Sequence, residues 1–565
     1  ITIKRPARQA PREGEGSATM MSRHARLLGS ALALTGSFGA TALAQTRACT
    51  DLAALARPDL RITRAEPVPA GTLPTENRGR AALAGPDRAA MPAHCVVDGM
   101  IAPRTGVGGV SFGTGFQLRL PEDWNGKLLF QGGGGMDGVV VEATGVVPIA
   151  GATAAPALMR GYAVVSTDAG HQGRDTRDAT FGLDQQARYD YAQGSVPMVA
   201  REATSLIASR YGRAPDRRYF MGCSNGGRQG MLAAQRDPLL FDGIVAGNPG
   251  FRLSRAAVAQ AWDVQALLRA APRDADGQPI LAASLTPADM TLVANAVLAS
   301  CDGADGLRDG LVQAPASCRF DPASLRCPTG EKTATCLAPA QVEALQTVFA
   351  GARNSRGEAV YAGWPWDAGI ASPGWRAWKL GTSQTGRPNA LNATLAASSL
   401  GYFFLTPPRP DLNLLAFDFD RDTAMTAQTA AINDATGTMM SSFAQRGSRL
   451  LVFHGNSDPV FSASDITAYW QDLARDNGGD QALSSFARLF MVPGMAHCGG
   501  GPAMEDFDPL AALEAWVERN EPPARIVARG ASFPGRTRPH CPFPQQAHYT
   551  GGDPERAESF ECRAP

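Results

Sequence analysis

Arg218-Tyr-Phe-Met-Gly222-Cys223-Ser224-Asn225-Gly226-Gly227 is an apolar, aromatic run that stops at a glycine, presents a serine two residues later and continues into glycines that open a helix. This is Gly-x-Ser-x-Gly in the setting that gives it meaning, a sharp strand-to-helix turn holding a hydroxyl at the top of a sheet. The flanking glycines suit such a turn because backbone passes close to backbone, and a Cβ on either side would clash. Ser224 is therefore the candidate nucleophile. The pattern also occurs by chance, and a glycine-rich turn serves any α/β protein, so its weight depends on what the rest of the chain supplies.

Upstream, 96–120 reads as antiparallel strands, Trp124-Asn-Gly-Lys127 as a turn and 128–131 as a strand. The loop Gly132-Gly-Gly-Gly135-Met-Asp-Gly138 follows. It lacks the Gly-Lys-Ser/Thr ending and the Gly-x-Gly-x-x-Gly spacing of phosphate cradles. In a hydrolase, a loop at this position supplies the second backbone N–H of an oxyanion hole. The run 161–168 suits a buried parallel strand, 187–211 is helical, and a helix over 226–235 and a strand over 243–246 follow the serine. Strands alternating with helices predict an α/β fold with a parallel sheet covered on both faces. The alternation breaks at Asn248-Pro-Gly250 and resumes only near 446. Between lie helical, irregular stretches with four cysteines and the tryptophans Trp364, Trp366, Trp375 and Trp378, read as a lid inserted into the core.

The returning alternation carries the chemistry. A strand over 448–455 ends in Asn456-Ser-Asp458-Pro459, a helix over 464–475 is capped by Ser464, and a strand over 487–492 ends in Pro493-Gly-Met-Ala-His497-Cys498. A serine hydroxyl attacks only when a base takes its proton, and imidazole does this at neutral pH. A carboxylate then fixes the tautomer and stabilises the imidazolium. Ser224, Asp458, His497 is the chain order of α/β-hydrolases, with acid and base each at the carboxyl end of a strand. Rivals are weaker. Of seven histidines, His24 lies in a leader, His94 and His171 precede the serine, His454 precedes the acid, and His540 and His548 sit in a Pro-rich tail. Asp465 falls inside the predicted helix.

Composition bounds the rest. The 565 residues are 44% hydrophobic, and 53 Lys and Arg balance 53 Asp and Glu, which gives no reason to expect a polyanion or nucleic-acid partner. Residues 1–19 read as an upstream extension. Basic residues at 23–26, an apolar stretch over 27–43 and Ala42-Leu-Ala44 then form a signal peptide cleaved after Ala44. No later stretch has the ~20 apolar residues of a membrane span. The mature chain is expected to be exported, without a membrane anchor. Ten cysteines lie beyond the leader and no Cys-x-x-Cys occurs, which favours disulfides over metal or redox sites. Close pairs are Cys301 with Cys318, Cys327 with Cys336 and Cys541 with Cys562, and Cys49 with Cys95 would clip the N-terminal segment. Cys223 and Cys498 remain. If Ser224 and His497 meet, their neighbours could reach disulfide distance across about 275 residues. Two buried thiols are the alternative. In Cys301-Asp302-Gly-Ala-Asp305-Gly-Leu307-Arg-Asp309-Gly-Leu311 three carboxylates crowd into eight residues. That is a solvated acidic turn or a calcium loop completed by backbone carbonyls, without EF-hand spacing.

With Gly222-Cys-Ser-Asn-Gly-Gly227, Asp458 and His497-Cys498 in hand, the chain resembles the tannase and feruloyl esterase family of α/β-hydrolases over nearly the whole mature length. The resemblance implies the bridge Cys223–Cys498, oxyanion donors at Gly135 and Asn225, and a lid calcium held by Asp302, Asp305, Leu307, Asp309 and Leu311, the leucines through their carbonyls. It also places Trp378 and Phe461 on the substrate pocket. Arg104-Thr-Gly106, Gly182-Leu-Asp184 and Val492-Pro-Gly-Met-Ala-His-Cys498 resemble a branch that cleaves terephthalate monoesters. That branch grips the free carboxylate with a lid arginine where this chain has Leu391. A charge-assisted contact is lost, unless Arg387 replaces it.

The domains expected are 1–44 extension and signal, 45–250 with 446–565 catalytic, and 251–445 lid. The expected function is an exported, calcium-containing serine esterase acting on esters of hydroxycinnamic or gallic-type acids. Terephthalate monoesters are the second choice, and a non-catalytic secreted binding protein on a hydrolase scaffold is the reading from another class.

Overall fold

A computed structural model describes residues 46–71 and 90–564, so the leader expected over 1–44 lies outside the described residues. One nine-stranded sheet dominates the chain. In chain order its strands are β1 (Leu60–Val68), β2 (His94–Thr105), β3 (Ser111–Pro121), β4 (Lys127–Gln131), β5 (Ala163–Thr167), β6 (Arg217–Cys223), β7 (Gly243–Gly247), β8 (Arg449–Gly455) and β9 (Ala487–Val492). They lie side by side as β1-β2-β3-β5-β4-β6-β7-β8-β9. The first three and β5 are joined antiparallel, and β5 through β9 run parallel. Two small antiparallel ribbons close the C-terminal region.

The parallel strands are short apolar runs because both of their faces are covered. Side chains alternate between the faces. Phe220, Ile244 and Val452 face the helices Ser195–Tyr211 and Asn225–Arg236, packing with Val199, Leu206 and Met231. Tyr219, Met221, Val245 and Phe453 face the other way, onto Leu510 and Leu513 of the helix Pro509–Arg519. The helix after the acid runs Ala463–Asp476, one residue earlier than its sequence suggests, because Ser462 rather than Ser464 caps it by accepting the Ser464 N–H.

Between β7 and β8 no strand joins the sheet. This segment builds its own core from Val264, Leu285, Val293, Val342 and Trp375, and Val460 and Phe461 from the loop after β8 pack into it. The sheet and the helical segment form one compact unit. The motifs around 104 and 184 meet: Arg104 Nη2 lies 2.5 Å from Asp184 Oδ1, and Asp184 also caps the helix Gln185–Tyr189 through the Ala187 N–H. Among the described residues no helix is long and apolar enough to cross a membrane.

Candidate active site

Ser224 sits where β6 gives way to the helix, at φ 63° and ψ −123°, a left-handed backbone that a non-glycine residue adopts only when its surroundings enforce it. They do so through close packing. A Cβ on Gly222 would come 2.8 Å from the Gly226 carbonyl carbon, and one on Gly226 would come 2.7 Å from the Gly133 oxygen. Ser224 N–H donates to Gly247 O at 2.9 Å and Gly226 N–H to Gly133 O at 3.0 Å, which fixes the turn between β7 and the glycine loop.

His497 Nε2 is 2.9 Å from Ser224 Oγ, and its Nδ1 donates to Asp458 Oδ2 at 2.9 Å. All three side chains are buried. Burial alone would raise the Asp458 pKa, but the pull and hydrogen bond of His497, helped by His454 and Asn248, outweigh it and hold the carboxyl below its ordinary value. Asn248 Nδ2 donates to Asp458 Oδ2 at 2.7 Å, and the Val460 N–H donates to Oδ1 at 2.7 Å. Sequence reasoning marked Asn248 only as the point where the alternation breaks. That break, at the end of the strand beside the serine's, is the signal that could have found it.

Four of the rivals have contacts of their own away from Ser224. His454 is buried with Nε2 on Phe461 O, His540 bonds to Met504 O, and His171 stacks on Phe181. Asp465 lies 3.3 Å from Arg252.

In the glycine loop, the N–H groups of Gly132, Gly133 and Met136 are taken by Met221 O, Gln229 Oε1 and Thr176 O. Among the described residues the Gly135 N–H has no such partner, and Asn225 is the first residue of its helix, where N–H groups have none within the helix. Both residues border the cleft with Ser224. Gly135 is held at φ 58°, where a Cβ would strike Thr176 O at 2.4 Å. A side chain that sequence reasoning missed ties the two together. Asp137 accepts from Asn225 Nδ2 at 2.9 Å and Gln229 Nε2 at 3.0 Å, and burial pushes its carboxyl up to about 6. Asn225 Oδ1 in turn accepts from the fully buried Arg228, whose guanidinium reaches the carbonyls of Tyr191, Ala192 and Asn433. The only hint in the sequence was a single acid in a glycine loop.

Trp378 and Phe461 meet His497 edge-on, at ring distances of 5.0 and 5.3 Å, and line the cleft. Of the other lid tryptophans, Trp366 stacks on Phe349, Trp364 covers the Lys379 ammonium and Trp375 is core. Apart from Ser224 and Asn225, the polar side chains of the cleft are Gln260 and Ser399, and no charged side chain lines it. Leu391 opens the helix Leu391–Ser398, one turn before the lining residue Leu395, while Arg387 is exposed and absent from the wall. The buried Lys379 is held by Asp263 at 2.5 Å.

All ten cysteines are paired as 49–95, 223–498, 301–318, 327–336 and 541–562, with Cα atoms 6.1 Å apart at Cys223–Cys498. In the acidic loop, Asp302 accepts the N–H groups of Asp309 and Gly310, and Asp309 Oδ2 meets Arg538 at 2.5 Å. Asp305 Oδ2 is buried with no hydrogen-bond partner among the described residues. Among the described residues no three His, Cys, Asp or Glu side chains are arranged as a ready metal site.

A strained serine at a strand-to-helix turn, hydrogen-bonded to a histidine that a buried carboxylate orients, is the constellation of serine hydrolases on a parallel sheet. The model of the tannase and feruloyl esterase family matches residues 100–563, and the chain belongs to that family of carboxylic ester hydrolases. Over 531 residues it is 41% identical to the mono(2-hydroxyethyl) terephthalate hydrolase of Piscinibacter sakaiensis, covering 86% of this chain and 87% of that one. It is 33% identical over 584 residues to an uncharacterised esterase of Xanthomonas campestris, covering 95% and 94%. Feruloyl esterase B from Aspergillus oryzae shares the fold, with a TM-score of 0.76 at 23% identity over 91% of this chain and 99% of that one.

Proposed function

We propose that this esterase cleaves esters of neutral aromatic acids, of the hydroxycinnamic or gallic type, through an acyl-enzyme. Ser224 attacks as His497 takes its proton, Asp458 holds the imidazolium, and the N–H groups of Gly135 and Asn225 receive the oxyanion. Each such donor is worth about 3 kcal/mol in measured hydrolases. His497 then returns the proton to the leaving alcohol, and water repeats the sequence on the acyl-enzyme. The observation that carries the acyl preference is the cleft wall: aromatic and aliphatic side chains with Gln260 and Ser399 for hydroxyls, and no cation. A free second carboxylate would be desolvated there without a partner.

The terephthalate monoester remains the second reading, favoured by the 41% identity to an enzyme of that name. Initial rates on methyl ferulate, methyl gallate and mono(2-hydroxyethyl) terephthalate decide between them. Preference for a neutral acyl group is expected, and preference for the terephthalate ester overturns the assignment. A fluorophosphonate should label wild type and leave Ser224→Ala unlabelled. An unlabelled wild type would sink the acyl-enzyme mechanism.

The 302–311 loop is proposed to hold calcium, through Asp302, Asp305 and Asp309 and the carbonyls of Leu307 and Leu311. Support comes from Asp305, whose orphaned oxygen lies beside two further carboxylates, with burial pushing its carboxyl up to about 7. A hard cation suits such an oxygen set. Export is proposed on the five disulfides, which persist in oxidising compartments.

A further inference from the structure

A second cavity shares no lining residue with the cleft above Ser224. It lies between the loop after β8, the helix Ala463–Asp476, the turn 313–316 and the C-terminal segment 540–547. Its volume is about 150 Å³. One water needs roughly 10 to 15 Å³ by that measure, so there is room for a ligand of about a dozen non-hydrogen atoms.

The wall mixes apolar side chains such as Pro315, Pro365, Met491 and Phe543 with uncharged polar ones. Gln313, Asn456, Gln471, Gln545 and Gln546 bring five carboxamides to it, and no Asp, Glu, Lys or Arg contributes. Its one titratable group, His540, is buried and bonded to Met504 O, and burial holds its pKa near 4, so it is neutral at physiological pH. An ionic ligand has no counter-charge here.

Asn456 supplies the second observation. It is 2% exposed, yet among the described residues neither Oδ1 nor Nδ2 has a hydrogen-bond partner. Buried amides are almost always satisfied, so this one, at the cavity wall, is left for a partner from outside the described residues. A carboxamide presents an acceptor and a donor side by side, which matches two hydroxyls on adjacent carbons. Phe543 adds an apolar ring to the same wall.

We propose that this cavity binds a neutral polyhydroxylated ring, a monosaccharide or one sugar unit of a larger glycan, with the carboxamides reading vicinal hydroxyls and Phe543 covering a C–H face. A pentose or hexose has about the dozen non-hydrogen atoms the space admits. The site stands apart from the cleft and does not depend on which ester the cleft takes.

The test is saturation-transfer NMR on the full chain with methyl glycosides of xylose, arabinose, galactose and glucose. It is run with and without Ser224 blocked by a fluorophosphonate, so that sugar binding in the catalytic cleft is removed. At least one glycoside is expected to bind saturably in the millimolar range on the blocked protein. Gln313→Ala with Gln471→Ala should weaken it about tenfold or more, as loss of two hydrogen bonds would, while the unblocked variant keeps its esterase rate. Should that pair fail to fold, Gln545→Ala, at an exposed position, gives the same reading with a smaller loss. Absence of saturable binding by all four glycosides overturns the proposal. So does binding that vanishes when Ser224 is blocked, or binding that the substitutions leave unchanged.

Discussion

Asp137 adopts φ 44°, an uncommon backbone for an aspartate, and places its carboxylate between the side chains of Asn225 and Gln229. It has no part in bond making. Its work is to hold the loop carrying Gly135 against the helix that starts at Asn225. Asp137→Ala would leave the NH2 groups of two buried amides unpaired, each costing about 1 to 3 kcal/mol, and would let Gly135 and Asn225, the proposed oxyanion donors, drift apart. The expected result is a fall in kcat of about 10- to 100-fold with KM nearly unchanged, since misplaced donors cost transition-state rather than ground-state binding. Asp137→Asn, which keeps one carbonyl acceptor, should recover part of it. A rise in KM at unchanged kcat would show that Asp137 shapes the pocket instead. The triad residues were legible in the sequence because each follows a strand in a fixed chain order. Asp137, Asn248 and Arg228 were not, because their partners lie 88, 210 and up to 205 residues away and the lone acid in a glycine loop and the break in the alternation do not say with what the first two pair.

A buried carboxyl just past the end of a strand couples the sheet to pH. At the end of β5, Asp168 accepts from the N–H groups of Gly115 and Gly170 and from Gln172, yet burial dominates and pushes its carboxyl up to about 7. The unfolded chain binds that proton less tightly, with a pKa of about 3.9. The raised carboxyl therefore contributes stability that is fully present below about pH 4 and lost as pH rises through about 7. Wild type should lose melting temperature relative to Asp168→Asn between pH 4.5 and 7.5, read by thermal unfolding of both proteins across that range. A difference that does not change with pH would show that Asp168 is ionised throughout. The parallel strands were readable because burial on both faces leaves a plain apolar run, as at β6, β7 and β9. β1 escaped notice: on an edge, with Arg61 and Glu66 exposed and Arg64 half-buried, its pattern is broken. The start of the Ala463–Asp476 helix was misplaced by one residue because Ser462 and Ser464 are both competent caps, and only the fold decides which is used.

Over the whole molecule, the acidic loop joins regions far apart in sequence. Asp309 meets Arg538, and Arg536 reaches the Asp309 carbonyl, so the helical segment and the C-terminal tail converge there. If calcium occupies the loop, its removal loosens both regions together. Dialysis against EDTA should lower the melting temperature, calcium should restore it and magnesium should not, because the smaller ion demands a stricter geometry. A melting temperature indifferent to EDTA, with no calcium found by elemental analysis, would leave the loop as an arginine-bound acidic turn. The bridge Cys223–Cys498 has a different consequence, one of timing. Cys223 leaves the ribosome before Cys301, Cys318, Cys327 and Cys336, and Cys498 follows all four. Those four close among themselves over 17 and 9 residues. A nascent chain oxidised in order of appearance would join Cys223 to Cys301 and carry the serine's turn away from its base. The correct partner becomes available only through thiol exchange or by waiting. The triad, whose histidine adjoins Cys498, therefore closes late in the life of the chain, and a mispaired Cys223 would delay it.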